Sequence, residues 1–153
     1  MSNPSQQSTP QDAAAGFRQA VIAGRWSAAF KYMVPEVRKS LVGGLCMEAA
    51  YAADGEGGDA RERLGHIMQK HGLRGQGTRE WTDSELLAAL RDLLAWFENS
   101  VPEEKRVNLA QSMADIEYTN YRVSGDFAYA KYELKGKVRE QRFKCLDGKW
   151  YLA

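Results

Sequence analysis

Two histidines, two cysteines and a basic stretch threaded with aromatics are the side chains of this 153-residue chain best suited to bind or react. His66 and His71 lie five apart, which turns about 140° around a helix, so they do not converge on one metal ion. His71 ends a helical pattern and is expected to meet the last carbonyls of its helix or the edge of a core. Neither Cys46 nor Cys145 has a Cys or His at metal-ligand spacing. Cys145 alternates with Phe143 on a strand and reads as an inert buried thiol rather than a nucleophile. Arg74-Gly75-Gln76-Gly77-Thr78 lacks the Lys-Ser/Thr of a phosphate loop and follows a helix, not a strand. Gly55-Glu56-Gly57-Gly58 sits among acids that repel phosphate. Both read as loops, and no metal or cofactor is expected.

The basic stretch is more informative. From 131 to 149, Lys131, Lys135, Lys137, Arg139, Arg142, Lys144 and Lys149 stand against three acids. Phe127, Tyr129 and Tyr151 fall on the same expected face. Basic strands carrying aromatics can hold single-stranded nucleic acid by stacking and phosphate contact. Alternating charge on a sheet is also ordinary protection against aggregation. The second reading is preferred, with weak single-stranded nucleic-acid binding as an alternative.

The elements that must hold these residues are marked by caps and turns. A polar lead-in over 1–8 precedes Thr9-Pro10-Gln11-Asp12, an N-cap, a first-position proline and a first-turn acid. Ala13, Ala14, Phe17, Ala20 and Val21 follow at helical spacing, and Gly24 stops the helix. A short second helix with Trp26, Phe30 and Met33 inward ends at Pro35. A third pattern runs from Glu36 to Ala53, with a kink or break expected at Gly43-Gly44. Leu64, Ile67, Met68 and His71 share another helix face, and Thr82 with Glu85 forms a capping box opening a helix through Phe97. Ser100, Pro102 and Glu103 repeat a start signal for a short helix ending before Asp115. The period then changes to two. Strands are expected over 117–123, 127–134, 138–146 and 149–152, joined by tight turns at Ser124-Gly125-Asp126, Lys135-Gly136-Lys137 and Asp147-Gly148. Helices first and an antiparallel meander last make an α+β fold in one domain over 9–153.

Residues 13–30 with Val34-Pro35-Glu36, and the hairpins 123–128 and 142–152, resemble the opening helices and closing strands of the nuclear transport factor 2-like superfamily. That cystatin-like α+β cone is shared with ketosteroid isomerases, scytalone dehydratase and many bacterial domains. The middle, 36–112, is more helical than the superfamily pattern. The resemblance implies a curved sheet wrapped on a long helix around a mostly apolar cavity. Its inner face would carry Tyr121, Val123, Ala128, Ala130, Tyr132, Leu134, Phe143, Cys145, Trp150 and Leu152. Cavity candidates are then Trp26, Tyr32, Tyr121, Tyr132, Phe143 and Trp150, suited to a small apolar ligand. The outer face would present Arg122, Phe127, Tyr129, Lys131, Arg142 and Tyr151, and related domains commonly dimerise through their sheets, which implies a homodimer.

Catalysis of the isomerase kind needs a carboxylate base facing an acidic tyrosine or a protonated Asp. Tyr32, Tyr121 and Tyr132 offer hydroxyls, and Asp115 and Glu117 are the acids near the start of the sheet. No position matches the superfamily's catalytic pattern, nor the His/Asp pairing of the dehydratases, so no catalytic residue is assigned. Composition narrows the setting further. The net charge of +1 creates no global field for nucleic acid or a lipid surface. No apolar run approaches the about 18 residues that cross a bilayer. Two distant cysteines and an opening without a signal-peptide pattern give the expectation of a cytoplasmic protein. The reading is a non-catalytic domain for a small apolar ligand or a protein partner. An isomerase- or dehydratase-like enzyme is the alternative.

Overall fold

The computed structural model describes residues 7–73, 80–106 and 108–153. In chain order its helices are α1 (Pro10–Ile22), α2 (Trp26–Phe30), α3 (Pro35–Asp54), α4 (Gly58–Lys70), α5 (Asp83–Ser100) and α6 (Leu109–Asp115), with one 3-10 turn at Glu103–Lys105. The strands β1 (Thr119–Ser124), β2 (Phe127–Leu134), β3 (Lys137–Leu146) and β4 (Lys149–Leu152) follow. The α+β order is as expected: helices first, then a four-stranded antiparallel meander in the order β1-β2-β3-β4. Most of the expected lead-in, 1–6, and the expected loop Arg74–Arg79 lie outside the described residues. Contacts divide the chain into two compact units, Met1–Val37 with Asn108–Ala153, and Arg38–Val107.

In the first unit, α1 begins as its sequence dictates, with the Thr9 hydroxyl accepting from the Asp12 amide at 3.0 Å. It ends in a Schellman motif: Gly24 N–H donates to the Val21 carbonyl and Arg25 N–H to the Ala20 carbonyl. Its apolar stripe is buried and packs on β4, α2 and α6. Arg18 reaches from α1 to the end of α6, donating to the carbonyls of Met113 (3.1 Å) and Ala114 (2.7 Å) in its last turn. α2 stops at Phe30, earlier than the expected helix. Met33 instead bridges Leu152 in parallel, and Val34 N–H donates to the Leu152 carbonyl. The edge of β4 is further held by Gln7, which accepts from Trp150 N–H and returns a side-chain bond to its carbonyl. These bonds fix Gln7, two residues ahead of Thr9, against β4.

The turns β2–β3 and β3–β4 have two residues each, and both Lys135-Gly136 and Asp147-Gly148 carry positive φ. That is the twist-matched hairpin geometry that asks for Gly or Asp there. The register pairs Arg122 with Tyr129 and Tyr129 with Arg142, so alternate residues share faces as expected. The exception is in β1. Between Thr119 and Arg122 the register slips by one residue, and Asn120 takes φ 54°. This bulge inserts one extra residue into the edge strand.

In the second unit, α5 opens with the expected capping box: the Thr82 hydroxyl accepts from Glu85 N–H, and the Glu85 carboxylate accepts from Thr82 N–H. Its stripe from Leu86 to Phe97 is buried, and the Trp96 indole donates to the Ala60 carbonyl of α4 at 2.9 Å. Arg38 on α3 pairs with Asp83 at the start of α5 at 2.7 Å. Three expectations change. Gly43-Gly44 do not break α3, which runs on because Val42, Leu45, Cys46, Ala49 and Ala53 bury the opposite stripe. The start signal at Ser100-Glu103 yields only the 3-10 turn, and α6 starts separately with Asn108 capping Gln111 N–H. The acidic loop is shorter than expected, since α4 begins at Gly58.

Candidate functional site

The sheet separates the expected candidates into two sets. On the inward face, Ala128, Ala130 and Phe143 are fully buried, and Trp150 and Leu152 nearly so. Tyr121 lies 6.0 Å from Phe143, ring centre to ring centre. Tyr118, which the sequence reading did not select, meets the edges of Tyr132 (5.5 Å) and Phe143 (6.0 Å). Counting back from Tyr121 by strict alternation puts Tyr118 on the opposite face. The bulge at Asn120 turns it inward. An Asn in a strand, tolerant of positive φ, was the available signal. Burial pushes the Tyr118 phenol far above its ordinary value, with the Tyr132 and Tyr121 phenols adding to it, and burial raises Tyr121 as well.

Of the remaining cavity candidates, Trp150 lies on the same inward face as these rings, while Trp26 and Tyr32 come from α2 and the turn after it. Tyr32 is buried with its ring flush on Gly16 of α1. Trp26 is half-buried at the start of α2. Trp150 pairs with Cys145 across β3–β4 and shares its face. Val123 pairs with Ala128, so its facing is as expected, but on the edge strand it stays 60% exposed. Rings packed edge to face satisfy one another's apolar surface.

The outward face carries all six expected interface residues. Arg122, Tyr129 and Arg142 form one cross-strand row, and Phe127, Lys144 and Tyr151 form the next. The Arg122 guanidinium sits 5.2 Å over the Tyr129 ring. Arg142 and Lys144 lie 5.5 and 5.8 Å from the Phe127 ring centre. Lys131 is exposed opposite Glu140, and Glu140 is paired with Arg122 at 3.1 Å. Five bases (Arg122, Lys131, Arg142, Lys144 and Lys149) share this face with two acids, Glu133 and Glu140. The rings are half-buried while Arg122, Lys131 and Arg142 reach solvent.

Two grooves lie elsewhere. One of about 680 Å³, at the β2–β3 turn, is lined by Asp115, Glu117, Thr119, Asn120, Lys131, Tyr132, Glu133, Lys135, Gly136 and Val138. It brings Lys131 and Tyr132 together and is too charged to suit an apolar ligand. The other, about 330 Å³, runs between α4 and α5 past Arg63, His66, Lys70, Asp92, Trp96 and Ser100. His71, at the end of α4 as expected, has a nearly buried side chain that donates from Nε2 to Asp92 Oδ2 at 2.6 Å, and Lys70 meets the same oxygen at 3.1 Å. That bond, then Lys70, holds the Asp92 carboxyl below the usual carboxylate range. Asp12 is lowered too, by Ser8 and then Thr9. Neither Asp12 nor Asp92 is raised as a general acid would be.

Cys46 is buried, with its thiol pushed up by burial, and Cys145 is half-buried. Among the described residues, no group of three His, Cys, Asp or Glu can hold a metal ion, and no helix is long and apolar enough to cross a membrane. No family model, no curated protein and no solved structure matches this chain.

Proposed function

We propose that the chain is a non-catalytic interaction domain that binds a partner on the open face of its sheet, on a scaffold of the nuclear transport factor 2-like kind. The observation that carries this reading is the outward face itself. Its half-buried rings are overlaid by cations that still reach solvent, in two adjacent cross-strand rows. Such rows offer aromatic rings and arginines together, residue types enriched at protein interfaces. The scaffold part of the reading draws on the opening helices, the single bridge of Met33 to Leu152, and the closing hairpins.

The apolar-ligand reading relies on the inner rings. Tyr118, Tyr121, Tyr132 and Phe143 occupy one another's faces and edges, which leaves the interaction reading better supported. A homodimer through the sheet would bring five bases against five, which favours an anionic partner over a second copy.

Amide-shift mapping of the isotope-labelled full chain tests this with three probes: polyglutamate, an oligothymidylate and anilinonaphthalene sulfonate. Shifts at the outward residues of β2–β4 with either polyanion support the reading. Saturable shifts at Tyr118, Tyr132 and Phe143 with the apolar dye, and none outward, would overturn it in favour of an apolar-ligand domain.

A further inference from the structure

We propose that the occupant of the open sheet face is an extended acidic protein segment, with carboxylates at alternate residues lying along β3 over Arg142 and Lys144. This inference rests on the preceding reading of that face as a binding surface and names its partner's chemistry. Charge complementarity is the first argument. Of the face's two acids, Glu140 is already held by Arg122, while Arg142 and Lys144 stand over an uncharged ring. An acidic chain therefore gains pairs without displacing one.

Spacing is the second. Arg142 and Lys144 are alternate residues of one strand, about 6.6–6.8 Å apart along it. An extended peptide repeats its same-side side chains at that interval, so two successive carboxylates meet two successive cations. The Arg142 guanidinium, over the Phe127 ring and exposed, brings five N–H donors in a fork that suits a carboxylate.

The third argument separates protein from nucleic acid. Phosphates repeat at a similar interval, but single-strand binding draws much of its strength from bases stacked on open ring faces. Here Tyr129 and Phe127 already carry cations over their rings, so a base would have to displace a guanidinium or ammonium to stack.

The test titrates the labelled full chain with a peptide alternating Glu and Thr over about twelve residues, and with an oligothymidylate of equal charge. The peptide is expected to shift outward amides of β2–β4. Its affinity should fall severalfold between about 50 and about 200 mM salt, as the screening length shortens from about 14 to about 7 Å. Arg142→Gln and Lys144→Gln should each weaken it about two- to fivefold, the range of an exposed ion pair, while Lys39→Gln on α3 leaves it unchanged. An affinity untouched by the double variant would overturn the proposal. Tighter oligothymidylate binding would reassign the face to nucleic acid, and a sheet-face dimer broken by the same variants would reassign it to a second copy. In those two cases the face remains a binding surface. If no probe reaches it, the underlying reading fails as well.

Discussion

The same substitution, Gly→Ala, should stabilise at one helical position of this chain and fail to stabilise at another. In a helix interior the change contributes about 1 kcal/mol by reducing the freedom of the unfolded chain. At Gly43 of α3, an added Cβ meets nothing within 4 Å, so that gain should appear whole. At Gly16 of α1 the added carbon would lie 2.5 Å from Cε1 and 2.6 Å from Oη of Tyr32. Ordinary carbon contacts are about 3.5–4.0 Å. The ring cannot easily retreat, because Tyr32 is buried and its carbonyl accepts from Leu152 N–H at 2.7 Å. Overpacking of this kind costs about 1–3 kcal/mol. Gly16→Ala should then be neutral to destabilised by about 2 kcal/mol, and Gly43→Ala stabilised by about 1 kcal/mol. Urea unfolding followed by far-ultraviolet circular dichroism reads both. In a Tyr32→Ala background the clash is gone, and Gly16→Ala should turn stabilising by about 1 kcal/mol relative to that background. A Gly16→Ala variant as stable as Gly43→Ala in the parent chain would refute the flush packing of Tyr32 on α1.

Three further outcomes follow from the caps and the shifted groups. Thr82→Ala removes the capping box of α5 and should lower stability by about 1 kcal/mol in urea titrations, whereas Thr82→Ser should retain most of it. Asp92 is depressed, so its contribution is present above the ordinary carboxylate value of 3.8 and is lost as pH falls through the lower folded value. Asp92→Asn should flatten the fall in stability on acidification below about pH 4, measured as urea midpoints across pH. Tyr118 is raised, so its contribution is present below the ordinary tyrosine value of 10.0 and is lost at higher pH. In an alkaline titration of phenolate absorbance, Tyr118→Phe should remove the last group to ionise. Loss of an early-ionising group instead would contradict its burial.

What the sequence showed plainly was local. Thr9-Pro10, Thr82 with Glu85 and the Asp147-Gly148 turn each satisfy a backbone need within a few residues, so their residue types announce them. The two faces of β2–β4 were legible for the same reason, since a period of two needs only neighbours. Longer connections were not. His71 finds Asp92 on another helix, and Gln7 finds β4 across 143 residues. Neither pairing has a periodic signature. Gly43-Gly44 misled because propensity speaks for the backbone alone, while a buried stripe on the far side decides whether the helix persists. Tyr118 was missed because a single bulged residue, Asn120, inverts the count on which strand facing depends.

The edge of β4 has a consequence for how the protein is made. Its partners, Gln7 and residues 32–34, leave the ribosome early, yet Trp150 and Leu152 come at the end of the sequence. Synthesis at about 5–20 residues per second leaves those early segments waiting on the order of 10 s for the strand they pair with. The second unit, Arg38–Val107, is drawn from one continuous stretch and gains its own internal partners during that interval. The nascent chain thus carries the apolar stripe of α1 uncovered by β4 throughout that interval. Slower translation of the hairpins would prolong the period in which Phe17 and Val21 are open to chaperones.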